Sequence, residues 1–205
     1  MPDYTILGLL ARGPASGYDL GKWLRTDGRW LGRGTSMTPV YRALADIESR
    51  GWVSTRVEPR ENAPAATVYS LTPAGVEALE QWAASEYRPD ERPMSPEFTQ
   101  RLSFAGQLGP RYALTIVRTE LDFRRRQRAA EQDPVLPSEG AQPIPEIDRD
   151  WLTRIDALTH DRGWQSTSLF IGWLETTERE LVRECERRGL DPSPIDRTPT
   201  SQETR

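Results

Sequence analysis

The chain has 205 residues, with 31 Asp and Glu against 27 Lys and Arg, 36% hydrophobic residues, one His and one Cys. That length allows one or two domains with a buried core, and no apolar run approaches the roughly 20 residues that a membrane-spanning helix needs. A lone cysteine excludes an internal disulfide, a single His beside it excludes a metal site of the His/Cys type, and a net charge of −4 argues against indiscriminate coating of nucleic acid.

Tyr4 to Leu10 reads as a short apolar helix, and after the Gly13-Pro14 break Ser16 to Leu24 reads as a second. The stretch SMTPVYRALADIESRGWV, Ser36 to Val53, carries a third. Ser36 or Thr38 caps its first turn, Pro39 fits there because its missing N–H loses nothing, and Gly51 suits a left-handed terminus. Val40, Ala43, Leu44 and Ile47 recur at three- and four-residue spacing and mark the apolar face, while Tyr41, Arg42, Ala45, Asp46 and Ser49 point elsewhere. Trp52 to Val57 alternates like a strand, Glu58 to Ala66 with its two prolines is expected to be a loop, and Thr67 to Leu71 is strand-like again. This is a hairpin with a long tip. Thr72-Pro73 then opens a helix with Val76, Leu79, Trp82 and Ala83 on one face. The order helix, helix, helix, hairpin, helix is that of a winged helix-turn-helix, whose third helix enters the major groove with the hairpin beside it.

The second half is helical. Ser95-Pro96 starts a helix carrying Phe98, Leu102 and Ala105, and Gly109-Pro110 breaks it. Pro110 to Glu131 carries Leu114, Val117 and Leu121 at near-heptad spacing. Asp133 to Ile147, with four prolines and one glycine, is a surface loop or flexible connection. Ile147 to about Arg162 and Trp164 to Arg188 are helical, the latter with Leu169, Trp173, Thr177, Leu181 and Cys185 spaced by four and Phe170 and Leu174 widening the stripe. Gly189 ends it, and the proline-rich tail is expected to be disordered. The expected fold class is therefore mainly α, with residues 1–88 as a winged helix-turn-helix bearing a two-stranded wing, 89–189 as a helical dimerisation domain and 190–205 as a disordered tail.

The chemistry points away from catalysis. There is no HExxH, no phosphate-cradling GxxxxGK[ST] and no GxSxG, so neither an enzyme nor a cofactor or metal site is expected. His160 lies on a polar helix end and Cys185 on a packed face. The third helix, in contrast, opens with Ser36, Thr38, Tyr41 and Arg42, whose hydroxyls and guanidinium suit phosphates and base edges. Lys22, the only lysine, and Arg56 and Arg60 of the wing are further candidates for DNA contact; Asp46 would repel phosphate. From Arg12 to Arg60 nine basic residues face five acidic ones, and only the face presented counts within a Debye length of about 8 to 10 Å.

Four blocks in order, ILGLLARGPASGYDL, Trp30, TPVYRALADIESRGWVS and VYSLTPAGVEAL, resemble PadR-like transcriptional regulators across about the first eighty-five residues. The resemblance implies that the helix with Tyr41 is the recognition helix and that the chain is a homodimer, paired through its C-terminal helices, that represses from a palindromic double-stranded DNA operator. Where relatives carry a basic run in the wing, this chain has NAPAAT. The resemblance also implies a small aromatic effector, for which Trp30, Trp151 and Trp173 are the candidate pocket residues; the single cysteine, Cys185, makes a cytoplasmic location the default. A winged-helix protein-interaction scaffold that has lost DNA contact is the alternative.

Overall fold

A computed structural model of the chain describes residues 4–26, 38–60, 63–91, 95–130 and 148–195. Helix α1, Tyr4–Leu10, is apolar all round, and its residues from Thr5 to Leu10 are buried, so it sits at the centre of the N-terminal half. Strand β1, Ala15–Ser16, precedes α2, Gly17–Thr26. The start of α2 falls one residue later than expected because Ser16 caps it: the Asp19 N–H donates to Ser16 Oγ at 3.2 Å, while the Ser16 N–H and hydroxyl donate to Asp19 Oδ2 at 3.3 and 2.5 Å.

Helix α3, Thr38–Ser49, buries Val40, Leu44 and Ile47, the face its periodicity predicts. Gly51, at φ 71°, ends it in a left-handed turn whose Gly51 and Trp52 N–H groups donate to the carbonyls of Glu48 (2.9 Å) and Ile47 (3.0 Å). The chain then enters β2, Val53–Arg60, and returns as β3, Ala63–Leu71. The order is β1-β3-β2, all antiparallel, with Thr55 opposite Tyr69 and Ala15 on its other side. This corrects two expectations. The sheet has a third, two-residue strand, and the stretch Glu58 to Ala66, expected as a loop, is largely strand, pairing Glu58 with Ala66 and Arg60 with Ala63 across a register shift. The prolines are tolerated because β2 is an edge strand, Pro59 lies at the irregularity, and β1 pairs with β3 only at Val68 and Tyr69, well away from Pro64.

Helix α4, Pro73–Ala84, is capped by Thr72, whose Oγ1 accepts from the Gly75 N–H at 3.1 Å. Leu79 and Ala83 are buried as expected, but Val76 is exposed. Helix α5, Pro96–Phe104, a 3-10 turn at Gly106–Leu108 and α6, Pro110–Ala130, follow. The segment Asp133 to Ile147 lies outside the described residues. Where two helical stretches were expected, a single helix α7, Arg149–Arg187, runs for 39 residues from its Asp148 cap.

Two cores result. The first joins α1, α2, α3 and Leu79 and is completed by Phe104, which lies well past residue 88. The second joins Ala83 and Tyr87 to α5, α6 and the Phe170 and Leu174 face of α7. Helices α6 and α7 run antiparallel, tied by Arg118 to Glu178 (2.8 Å) and Arg125 to Glu175 (2.7 Å), with the Arg128 guanidinium 3.6 Å over the Trp164 ring.

The packed stripe of α7 differs from the expected one. Phe170, Leu174 and Cys185 are buried, whereas Leu169 is 78% and Trp173 45% exposed. At about 100° per residue, Leu169 and Trp173 stand roughly 160° and 120° around the helix from Cys185, while Leu174 lies within about 20° of it. The tail does not leave the protein at Gly189. Residues 190–195 turn back along α6, where Arg118 donates to the Pro192 carbonyl at 2.6 Å and the Ile195 N–H to Thr115 Oγ1 at 3.3 Å.

Candidate nucleic-acid interface

The exposed edge of the N-terminal half is formed by α2, α3 and the wing. On α3, burial of Val40, Leu44 and Ile47 leaves Thr38, Tyr41 and Arg42 exposed together on the outer side of the first turns. Ser36 lies outside the described residues. Arg42 has no ion-pair partner among the described residues, so its guanidinium is presented rather than consumed. Asp46, one turn on, is held by Arg50, whose Nε and Nη2 donate to its two carboxylate oxygens at 3.1 and 3.3 Å. Arg50 also lies 5.2 Å over the Trp52 ring. The negative charge expected to repel phosphate is thereby matched at the distal end of the helix.

On α2, Lys22 is exposed, and Tyr18 and Arg25, four residues before and three after it, share its outer face. Arg25 lies 6.0 Å over the Tyr18 ring. Tyr18 and Arg25 were not among the residues expected at the interface; their spacing from Lys22 is the signal that marks them.

The wing contributes less charge than its arginines suggest. Arg56 and Glu58 are two apart on edge strand β2, hence on one face, and form an ion pair. The Arg60 side chain lies outside the described residues. Tyr69, behind the wing on β3, has its phenol pKa raised, chiefly by burial and then by the Glu48 carboxylate and Tyr41.

Of the residues proposed for an effector, Trp151 and Trp173 lie far apart within one chain. Trp30 lies outside the described residues, and Trp151 and Trp173 sit 22 residues apart on α7, about 33 Å along its axis. Trp173 instead packs on Phe98 and Phe170, with ring centroids at 6.1 and 6.0 Å. A small cleft does exist elsewhere, between the end of α4, α5, α6 and residue 195, lined by Ser85, Tyr87, Arg101, Tyr112, Thr115 and Ile195 among others. Arg101 is buried there, stacked over Trp82 and Tyr87 at 5.1 and 5.6 Å and donating to the Ser85 carbonyl at 3.2 Å. Among the described residues no group of His, Cys, Asp and Glu could hold a metal ion, and no helix is long and apolar enough to cross a membrane.

Residues 6–81 match the transcriptional regulator PadR-like family. The negative transcriptional regulator PadR of Bacillus subtilis (strain 168) is 26% identical over 124 residues, which are 60% of this chain and 66% of that protein, just under two thirds of its length. A crystal structure of B. subtilis PadR in complex with operator DNA aligns at 21% identity over 85% of this chain and 96% of that one, with a TM-score of 0.41. The same protein in complex with p-coumaric acid aligns over 87% and 96% at 21% identity, with a TM-score of 0.37. A transcriptional regulator from Clostridium thermocellum is 30% identical over 37% of this chain and 72% of its own, with a TM-score of 0.33.

Proposed function

The chain belongs to the PadR-like family of transcriptional regulators, which are not enzymes, and from that premise we propose that it is a cytoplasmic homodimeric repressor that reads a palindromic operator through α3. The observation that carries this reading is the opening of α3, where Thr38, Tyr41 and Arg42 stand exposed while Asp46 is neutralised by Arg50. A helix so presented offers a guanidinium to guanine edges or phosphate and two hydroxyls to either. Lys22 and Arg25 on α2 supply backbone contacts beside it, and Arg56 and Arg60 of the wing complete the proposed DNA-contacting set, as does Ser36 ahead of α3.

The exposed apolar residues of α7 support the dimer. Trp151, Ile155, Leu158, Trp164 and Leu169 all stand in solvent in the single chain. A second copy covering them would pair two α3 helices, as helix-turn-helix dimers that read half-sites about 34 to 36 Å apart require. Relief of repression by a small aromatic molecule is part of the same proposal, with Trp30, Trp151 and Trp173 as its candidate residues; the cleft beside Arg101 has room for no more than about one water molecule. The p-coumaric acid found with B. subtilis PadR is the first compound to try.

The scaffold reading keeps one observation in its favour, the Arg56 and Glu58 pair that cancels the charge of the described wing. Fluorescence anisotropy separates the two, using a duplex from upstream of the chain's own gene and a scrambled duplex at two salt concentrations. Tight binding to the first alone, weakening with salt, is expected of a sequence-reading dimer. Equal, feeble binding to both, persisting after selection from random DNA, would leave the scaffold.

A further inference from the structure

Gly17 opens α2 and is buried, and its backbone is ordinary right-handed helix, which any residue adopts. Helix propensity alone would favour alanine there. What forbids a side chain is α3: a Cβ built on Gly17 would lie 2.7 Å from Tyr41 Cε1, 3.3 Å from Tyr41 Cζ and 3.3 Å from Leu44 Cδ1. The edge of the Tyr41 ring occupies the space a side chain would fill. Tyr41 is 52% exposed, and the Cε1–Cζ edge of its ring, the end that carries the hydroxyl, rests on the first turn of α2. The seat itself is rigid, because the Ser16 and Asp19 cap fixes the turn to which Gly17 belongs and Ser16 is paired to Val68 in the sheet.

We propose that Gly17 is a positioning residue that sets where the Tyr41 hydroxyl points, and that it thereby contributes to operator selectivity without touching DNA. The proposal rests on the reading of α3 as the recognition helix. Adding a methyl group at Gly17 moves the ring edge outward until the contact reaches ordinary van der Waals distance, a shift of about 1 Å. Hydrogen bonds to base edges weaken steeply over such a displacement, whereas phosphate attraction does not. The ring moves in preference to the helix because it is the far end of a side chain already half in solvent.

The test is a double-mutant cycle on the full-length chain, with Gly17→Ala, Tyr41→Ala and the pair, read on the duplex the wild-type chain prefers and on a scrambled duplex. Gly17→Ala is expected to weaken preferred-duplex binding about tenfold, leave scrambled-duplex binding and the thermal midpoint within error, and add nothing in the Tyr41→Ala background. An unchanged preference ratio, or an equal loss in the Tyr41→Ala background, overturns the proposal. Aromatic 1H–13C spectra of the DNA-free protein separate this from failure of the DNA reading. Displaced Tyr41 ring signals in Gly17→Ala uphold the seat even if no duplex is preferred, in which case only its role in selectivity falls; undisplaced signals overturn the seat itself.

Discussion

The Phe104 side chain stands where a side chain on Gly8 would be: a Cβ at Gly8 would lie 2.4 Å from Phe104 Cδ1 and 2.6 Å from its Cβ. The Gly8 carbonyl meanwhile accepts from Gln107 Nε2 at 3.0 Å. This is the point at which the central helix of the winged half meets α5. Unlike the ring edge over Gly17, the opposing atoms here lie close to the α5 backbone and cannot swing into solvent. Gly8→Ala is expected to destabilise the fold by about 1–3 kcal/mol through overpacking, read as a lower urea midpoint at unchanged slope.

Arg124 and Glu120 are fully buried and paired at 2.8 Å; Arg124 also donates to the carbonyls of Asp90 (2.6 Å) and Glu91 (2.9 Å), and the Tyr87 hydroxyl donates to Glu120 at 2.7 Å. Arg124→Met strands a buried carboxylate and is expected to cost about 3–5 kcal/mol, while Arg124→Met with Glu120→Leu recovers much of that. Paired urea titrations of the two variants measure the difference.

The same network sets a limit on the alkaline side. Burial, then the hydrogen bond to Glu120, raises the pKa of the Tyr87 phenol well above its usual value, and burial also raises that of Tyr4 and Tyr69. Because the folded chain holds these protons more tightly than the unfolded chain, their contribution is complete below about pH 10, the ordinary tyrosine value, and is lost as pH rises above it. Stability is expected to fall between about pH 10 and 12. Tyr87→Phe should make that fall shallower in urea melts across the range.

At the interface, Arg42→Ala is expected to weaken operator binding by about 1–3 kcal/mol, whereas Arg56→Ala costs less than about 0.5 kcal/mol because Glu58 already holds its charge. Glu58→Ala releases Arg56 and should steepen the salt dependence of binding by about one phosphate contact. Anisotropy titrations over a salt series read all three.

Leu169 is the most exposed large apolar residue of α7. Leu169→Asp is expected to convert the proposed dimer to a monomer in light scattering after gel filtration without lowering the melting temperature of the monomer. A dimer that persists would place the interface elsewhere.

Features written in short-range code were legible from the residues. Ser95-Pro96 and Thr72-Pro73 start helices where they should, and Gly51 and Gly189 stop them with left-handed turns, because a cap or a terminus is decided within a few residues. The outward set on α3 followed from its period, which correctly separated Tyr41 and Arg42 from Val40, Leu44 and Ile47. Pairing across the chain was not legible. A two-residue β1 has no pattern of its own, the prolines of the wing are admitted only because β2 lies on an edge, and nothing near Arg124 announces the carbonyls of Asp90 and Glu91. On α7 the four-residue spacing was real, but its drift carried Leu169 off the packed face and left Trp173 half-exposed at its edge, against Phe98 and Phe170. The space at Gly17 depends on two side chains from another helix, Tyr41 and Leu44.

The length of α7 has a mechanical consequence. Among the described residues Trp164 is the first of α7 hydrogen-bonded to α6, and the helix before that point, with Trp151, Ile155 and Leu158 exposed, extends about 22 Å further. Two arms thus meet at Trp164, a packed one of about 35 Å and an exposed one of about 22 Å. A tilt of about 10° at Trp164 sweeps Trp151 through roughly 3–4 Å, on the rise of 1.5 Å per residue. A small tilt where Arg128 grips Trp164 is therefore delivered to the far end as a displacement of several ångströms.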